Sequence, residues 1–406
     1  MLKKLDLNKI NGYLLLIFAS AFPLSRAVAS IFMAYFVLYF LYTLITKNLP
    51  KDFFKNRVVI ALLLYITYMF STNLWNGIDN KIYGINYYQW FAIFGIAIYL
   101  YKNPQYVYKT ITAFIFGMLV SEILSYGMYF DLWTINGKGS SDPTPVMIHI
   151  MYSVFLAFTS LLLLNRILSN KYSVKEKIFL SIFFITVTGN LFVSNSRTGA
   201  LAFLVAIFVA IFLHLKIKIK NIIIVSLLIP SLFFLAYKAS PNFQRKIDVA
   251  SIQTKKILNN NLNSSIGVRF AMIILTPRLI ENNKIFGLGI RGKDKVMAQL
   301  VEDKKYNLSS HYKEFLTKAH LHNQYSQTLV EGGIVGILLL FFLYYNILKL
   351  PFNDGELKEL SIIFLVVYMV GSIGDPLLIK QFTRILFIVF IGIFLGASLQ
   401  TRIKND

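Results

Sequence analysis

Apolar residues recur in long unbroken runs along most of this chain, each closed by a short polar, mostly basic connection. Runs of about 18 or more apolar residues are long enough to cross a bilayer as helices, and too long and continuous for barrel strands. The pattern predicts an all-α polytopic membrane protein with about twelve transmembrane helices. Their centres fall at 11–25, 27–46, 58–74, 88–101, 107–129, 146–165, 177–193, 198–214, 221–238, 325–348, 358–374 and 382–399. Pro23 and Arg26 interrupt the first run, which is expected to pair tightly with the second.

One polar segment breaks this rhythm. It divides the chain into transmembrane helices 1–9 over residues 1–238, a larger loop over 239–324, and transmembrane helices 10–12 over 325–406. The loop is rich in Asn, Lys and Ser, and reads as helices over Phe243–Ile257 and Arg269–Glu281 with a further piece near Lys293–Glu302. Asn259–Asn263 reads as a surface loop. The turn Phe286-Gly287-Leu288-Gly289 is too apolar and too short for a phosphate-binding glycine loop.

The 406-residue chain is 56% hydrophobic and holds 36 Phe, which agrees with a membrane protein. Its formal charge of +22 would suit a nucleic-acid partner if the basic residues formed one aromatic-laced patch. They lie instead in the connections, so topology accounts for much of the excess, and no nucleic acid is expected. Lys47, Lys51, Lys55, Arg57, Lys102, Lys109, Arg166, Lys171, Lys175, Lys177, Lys216, Lys218, Lys220, Lys349, Lys358, Arg402 and Lys404 belong to one set of connections; Arg26, Lys81, Lys138, Arg197, Lys380 and Arg384 belong to the other. The asymmetry is about threefold and puts both termini in the cytoplasm, with 239–324 outside. The start, Met1-Leu2-Lys3-Lys4, lacks a small-residue cleavage site and reads as a retained cytoplasmic end. With no cysteine, disulfides, thiol nucleophiles and thiolate metal sites are all excluded.

Candidate chemistry gathers at the outer ends of the spans. The stretch His320-Leu-His322-Asn323-Gln324-Tyr325-Ser326 is polar and runs through Gly332-Gly333 into Ile337–Leu343. A neutral imidazole at a bilayer rim can take a proton near pH 7; the alternative is a polar helix cap at the water interface. Arg197, in Ser194-Asn195-Ser196-Arg197-Thr198-Gly199, fills a polar break with almost no loop. It either snorkels to the interface or offers a planar fork to a diphosphate. Arg269, near a helix start, could aim at an anion or be a surface residue. Arg291, after Gly289-Ile290, is a further basic candidate. Asp375 follows Gly374 with Arg384 close behind; a salt bridge tying two helices is the first expectation, orientation of an arginine or of His322 the second. His149 and His214 read as packing or interface residues, and His311 and His320 as alternatives to His322. The outer carboxylates form neither a D-x-D nor an H-E-x-x-H array, so no metal and no cofactor are expected.

These residues resemble a known family. His322-Asn323, nine residues, then Gly333-x-x-Gly336 is similar to the H-[NSQ]-x9-G-x-x-G signature of the O-antigen ligases and their wider ligase and polymerase superfamily. Ser196-Arg197-Thr198-Gly199-Ala200 resembles the family's span junction. Gly267-Val268-Arg269-Phe270-Ala271 with Ile285–Gly289 resembles its large periplasmic loop, Ile273 standing where an aromatic is often seen. Gly374-Asp375 is like a pair after its penultimate spans. The resemblance implies a GT-C type glycosyltransferase fold in the bacterial inner membrane, working at the periplasmic face on a glycan linked to undecaprenyl diphosphate. It also implies His322 as general base, Arg197 and Arg269 on the diphosphate, and lipid A-core as the acceptor, in lipopolysaccharide biosynthesis. Asn323, Arg291 and Asp375 are the remaining substrate-binding candidates. An O-antigen polymerase would share the donor and differ in the acceptor. A transporter or flippase would place ionisable residues at mid-membrane or show paired broken helices, whereas those singled out here lie at the outer rim.

Overall fold

Helix is the regular structure of the described residues of the computed structural model, with one isolated bridge between Ile135 and Lys138. Described are residues 7–76, 86–194, 196–214, 231, 234, 237–238, 241–259, 261–302 and 308–403. The helices are α1 (Leu7–Ala21), α2 (Arg26–Ile45), α3 (Arg57–Ser71), α4 (Ala92–Lys102), α5 (Tyr106–Tyr129), α6 (His149–Leu168), α7 (Val174–Val193) and α8 (Arg197–His214). After them come α9 (Pro241–Leu258), α10 (Ser265–Leu279), α11 (Lys293–Leu300), α12 (Ser310–Lys318), α13 (Gln324–Leu348), α14 (Gly355–Gly374) and α15 (Gln381–Ile403).

Nine helices among the described residues are long and apolar enough to cross a membrane, and the chain is a polytopic membrane protein. Two expected spans are helices shorter than these nine. α1 has 15 residues, and α4 has 11 and follows the 3-10 turn Asn86–Phe91. α4 is apolar without needing lipid, because Ala92 through Leu100 are all buried, packed between α2 and α15. Most of the expected span 221–238, with Lys81, lies outside the described residues.

The helices begin where their sequences cap them. Ser173 and Glu176 form a reciprocal capping box on α7, and the Asp354 side chain accepts from the Glu356 amide at the start of α14. α15 runs through the middle of the bundle, its apolar side chains buried all round rather than on one stripe. Phenylalanine fills the space there. The Phe158 and Phe390 rings lie 4.6 Å apart edge to face, and Phe364 sits 4.8 Å from Phe158 and 5.3 Å from Phe390.

The 239–324 segment folds on helices close to those expected, α9, α10 and α11, and on a fourth, α12, that its weak apolar pattern conceals. Val268, Ala271, Met272, Leu275 and Leu279 of α10 build a second core with Met297, Leu316, Leu321 and Val330. Val330 belongs to α13, so this core is shared with a span.

The junction is closed by backbone. Gly333 breaks α13 with φ 62° and ψ −161°, freeing groups that a continuous helix would have paired. Residues 284–289 take them up: the Leu288 and Gly289 amides donate to the Val330 and Glu331 carbonyls at 2.7 and 2.9 Å. In return, the Ile334 and Val335 amides donate to Lys284 and Ile285 carbonyls at 2.9 and 3.2 Å. Tyr68 of α3 adds a hydroxyl to the Gly332 carbonyl at 2.6 Å. The glycine turn of the loop is thus a lock for a broken helix. A Cβ at Gly333 would meet the Ile285 carbonyl and a left-handed backbone at once. Gly333→Ala is expected to cost about 2–4 kcal/mol, from strain plus overpacking, read as a lower melting temperature of the detergent-solubilised protein.

Candidate functional site

Three chain segments meet where α13 begins. Asn323 caps that helix: its Oδ1 accepts from the Tyr325 and Ser326 amides at 2.9 and 3.0 Å, while its Nδ2 donates to the Ile373 carbonyl at 3.1 Å. Gln324 Oε1 accepts from the Leu378 amide at 2.9 Å. These bonds hold the 320–324 turn against the end of α14. The Met272 sulfur, on α10, accepts from the His322 amide at 3.4 Å, which brings the loop helix to the same point.

The result is a fixed imidazole. His322 Nδ1 lies 2.9 Å from Asp375 Oδ1, and its ring stacks on Phe315 with centroids 5.8 Å apart. Asp375 is fully buried, and among the described residues its Oδ2 has no hydrogen-bond partner. A buried carboxylate at Nδ1 selects the tautomer with its proton there, leaving the Nε2 lone pair as the basic site. It also compensates the positive charge that appears when Nε2 takes a second proton.

The expected Asp375–Arg384 salt bridge is not what the fold makes. Arg384 turns instead to Gln89 Oε1, at 2.9 and 3.3 Å, and to the Ile379 carbonyl at 2.8 Å. The reason is rotational: eight residues separate the two positions, the turn 376–380 intervenes, and α15 presents Arg384 to the 3-10 turn Asn86–Phe91. The second expectation placed Asp375 beside an arginine or His322, and the contact made is with His322.

Arg197 and Arg269 gather at the same end. Arg197 opens α8 and is exposed. Its neighbour Thr198 packs against Gly374, the residue before Asp375, and Gly199 lets α8 approach α6 closely enough for its amide to reach Ser153 Oγ at 3.2 Å. Arg269 is half-buried on α10, one turn before Met272. Burial lowers the pKa of its guanidinium and the Asp375 carboxylate opposes that shift; the charges of Arg197 and Arg269 act on one another. Arg269 thus feels the same Asp375 carboxylate that contacts His322, and its charge acts on Arg197.

Arg291 stands apart from this group. It is exposed in a left-handed conformation with φ 60°, its Nε 3.4 Å from Asp294 Oδ2. His311 is exposed beside Tyr312, and His214 faces Glu359 at 3.8 Å at the far end of α8. His149, read from the sequence as a packing or interface residue, opens α6 within reach of the Asp375 and Arg269 charges. Sequence reasoning passed over Glu122, buried within α5 among Ser121, Ser125 and Tyr152, and the burial of Glu331 in α13. Among the described residues, no three His, Cys, Asp or Glu side chains gather as a metal cluster.

His320 is unlike His322. Burial first, then the positive charges of Lys380 and Lys293, lower its pKa to about 4. It is therefore neutral at pH 7. Because its folded pKa lies below the unfolded value of about 6.5, the unfolded chain binds more protons between the two, and stability falls as pH drops through that window. The melting temperature in detergent is expected to fall from pH 6.5 towards pH 4, and His320→Gln is expected to flatten that slope.

Residues 182–341 match the family described as O-antigen ligase. The match takes in Arg197, Arg269, Arg291, His322 and Asn323 and stops before Asp375. An uncharacterized protein of Haemophilus influenzae is 27% identical over 240 residues, which is 56% of this chain and 58% of the relative. The alignment therefore spans less than two thirds of that relative's length.

Proposed function

We propose, from the match of residues 182–341 to the O-antigen ligase family, that this chain is a metal-independent, inverting glycosyltransferase. In this reading it moves an O-antigen glycan from undecaprenyl diphosphate to a hydroxyl of lipid A-core. The protein lies in the bacterial inner membrane with both termini cytoplasmic and the His322 end facing the periplasm, as the basic connections indicate. The long apolar bundle is taken as a GT-C type scaffold, with 239–324 as its periplasmic part.

The observation that carries the reading is the 2.9 Å contact between His322 Nδ1 and a buried Asp375 carboxylate, beside two guanidiniums. The acceptor hydroxyl gives its proton to Nε2 of His322 as its oxygen attacks the anomeric carbon. The bond from that carbon to the diphosphate oxygen breaks on the opposite face, so the configuration inverts. The electron pair leaves on the diphosphate, where Arg197 and Arg269 stabilise the growing charge. Asn323 acts through the helix it caps, holding His322 in place. Arg291 has no part in this sequence of events.

Transfer of glycan by the purified protein in detergent, with no compartments to cross, tests the enzyme against a transporter. Lipopolysaccharide from a deletion strain separates the two acceptors. Loss of all polymer on the core is the expected result; a single repeat still attached to the core means a polymerase. Arg197→Lys keeps the charge and loses the fork, so transfer is expected to drop roughly 10- to 100-fold at limiting donor, the cost of one to two charge-assisted hydrogen bonds. Wild-type transfer by that variant would mean that Arg197 only snorkels.

A further inference from the structure

A second group of side chains converges on a cavity of about 280 Å³ that His320 lines but His322 and Arg269 do not. Its walls come from the starts of α13 and α15, from α11 and from the 3-10 turn Asn86–Phe91. Arg384 is the feature that needs explaining. It is 6% exposed, and its hydrogen-bond partners, Gln89 Oε1 and the Ile379 carbonyl, are both neutral. It also stands in the first turn of α15, where the helix dipole is positive and a cation is least at home. Among the described residues no carboxylate forms an ion pair with it; a desolvated guanidinium so placed is costly, and a fold keeps one where a ligand supplies the charge.

The rest of the lining says what kind of ligand. Gln327 and Glu331, one turn apart on α13, are both buried; Gln327 Nε2 donates to Glu331 Oε1 at 2.7 Å, and its own Oε1 accepts from the Leu321 amide at 2.8 Å. They hold a carboxylate in place as an acceptor for hydroxyl groups. Lys293 is 4% exposed and tied to the Thr317 carbonyl at 2.7 Å and to Asp294 at 3.0 Å, adding a fixed positive charge. Trp90 gives an apolar wall. A counter-ion site, a hydroxyl acceptor and an indole in one small cavity match a hexose that carries an anionic group. They do not match a hydrocarbon tail, which has no use for the charges.

We propose that this cavity is an acceptor-side subsite for an anionic sugar, its phosphate ester or carboxylate meeting Arg384 and its hydroxyls meeting Glu331. The proposal rests on the glycosyltransferase reading for its role, and on the cavity alone for its ligand. His320, two residues from His322, joins the subsite to the reacting imidazole. The donor diphosphate and the acceptor sugar then approach His322 from separate sides.

The chain has no cysteine, so Ala319→Cys puts a single thiol in the lining. In the full-length protein in detergent, an anionic methanethiosulfonate is expected to modify that thiol about tenfold faster than a cationic one, because the positive lining concentrates it. Glucose 6-phosphate and glucuronate are the probes for the two anionic groups; either slows the labelling, whereas glucose at the same concentration does not. Arg384→Gln on this background is expected to abolish both the charge preference and the protection. If that variant fails to fold, Lys318→Glu at the exposed mouth is expected to weaken both. Equal rates for the two reagents in the Ala319→Cys protein, or equal protection by glucose, would overturn the proposal without any further variant. Arg197→Lys on the same background keeps the protection, so a failure of the donor-side chemistry leaves the cavity result intact, and the reverse.

Discussion

His322→Ala is expected to abolish detectable glycan transfer while the protein still inserts and purifies as the parent does. The loss should be roughly 10²- to 10⁴-fold, the usual contribution of a positioned general base. Nothing nearby can replace it: His320 is held neutral by its surroundings and among the described residues forms no ion pair, and His311 faces solvent. The imidazole also does little for the fold, because its ring is partly exposed and α13 is capped by Asn323, not by His322. Lipopolysaccharide of the complemented deletion strain is the measurement. Unchanged polymer on the core would remove His322 from the mechanism.

The second large effect belongs to Asp375→Asn. The variant keeps size and shape but presents a mixed donor and acceptor to Nδ1. An amide that turns its NH2 towards the ring moves the imidazole proton to Nε2, where it blocks the acceptor hydroxyl. The loss is expected to lie between about 10²-fold, as for partners that orient a ligating imidazole, and about 10⁴-fold, as for the aspartate of a serine-protease triad. Asp375 is a positioning residue, so kcat should fall while the KM for the lipid-linked donor stays near its parent value. A rise in KM with kcat unchanged would show instead that Asp375 acts on donor binding through Arg269.

Much of this site was legible in the chain. The break at Ser194–Gly199 marks a tight hairpin by its polarity alone, and a hairpin that short must put Arg197 at a membrane boundary. Asn323, a substrate-binding candidate in the sequence, caps α13, which a short side-chain acceptor before a long apolar run could have suggested. What could not be read was rotation. Asp375 has Arg384 near it in sequence, yet the turn between them sends the guanidinium to Gln89, 295 positions away. The helix break at Gly333 was equally hidden. Periodicity runs straight through it, and its partners at 284–289 become apparent only when the backbone groups of two distant segments are paired. α12 escaped because SHYKEFLTK carries too few apolar residues to stand out, Leu316 alone being buried. The buried glutamates were invisible for a related reason: composition counts a carboxylate without saying which way it faces.

The pairing of 284–289 with 330–335 also sets an order of assembly. A ribosome delivers the glycine turn before the helix it locks, so for the time taken to make some forty residues the Leu288 and Gly289 amides have no partner from α13. Val330, a member of the loop's own core, arrives late as well. The segment 239–324 must therefore wait, half-built, until α13 is made and completes it. Ribosome-stalled chains cut off before Gly332 should stay open to protease across that whole region, and chains a few dozen residues longer should become resistant in a single step.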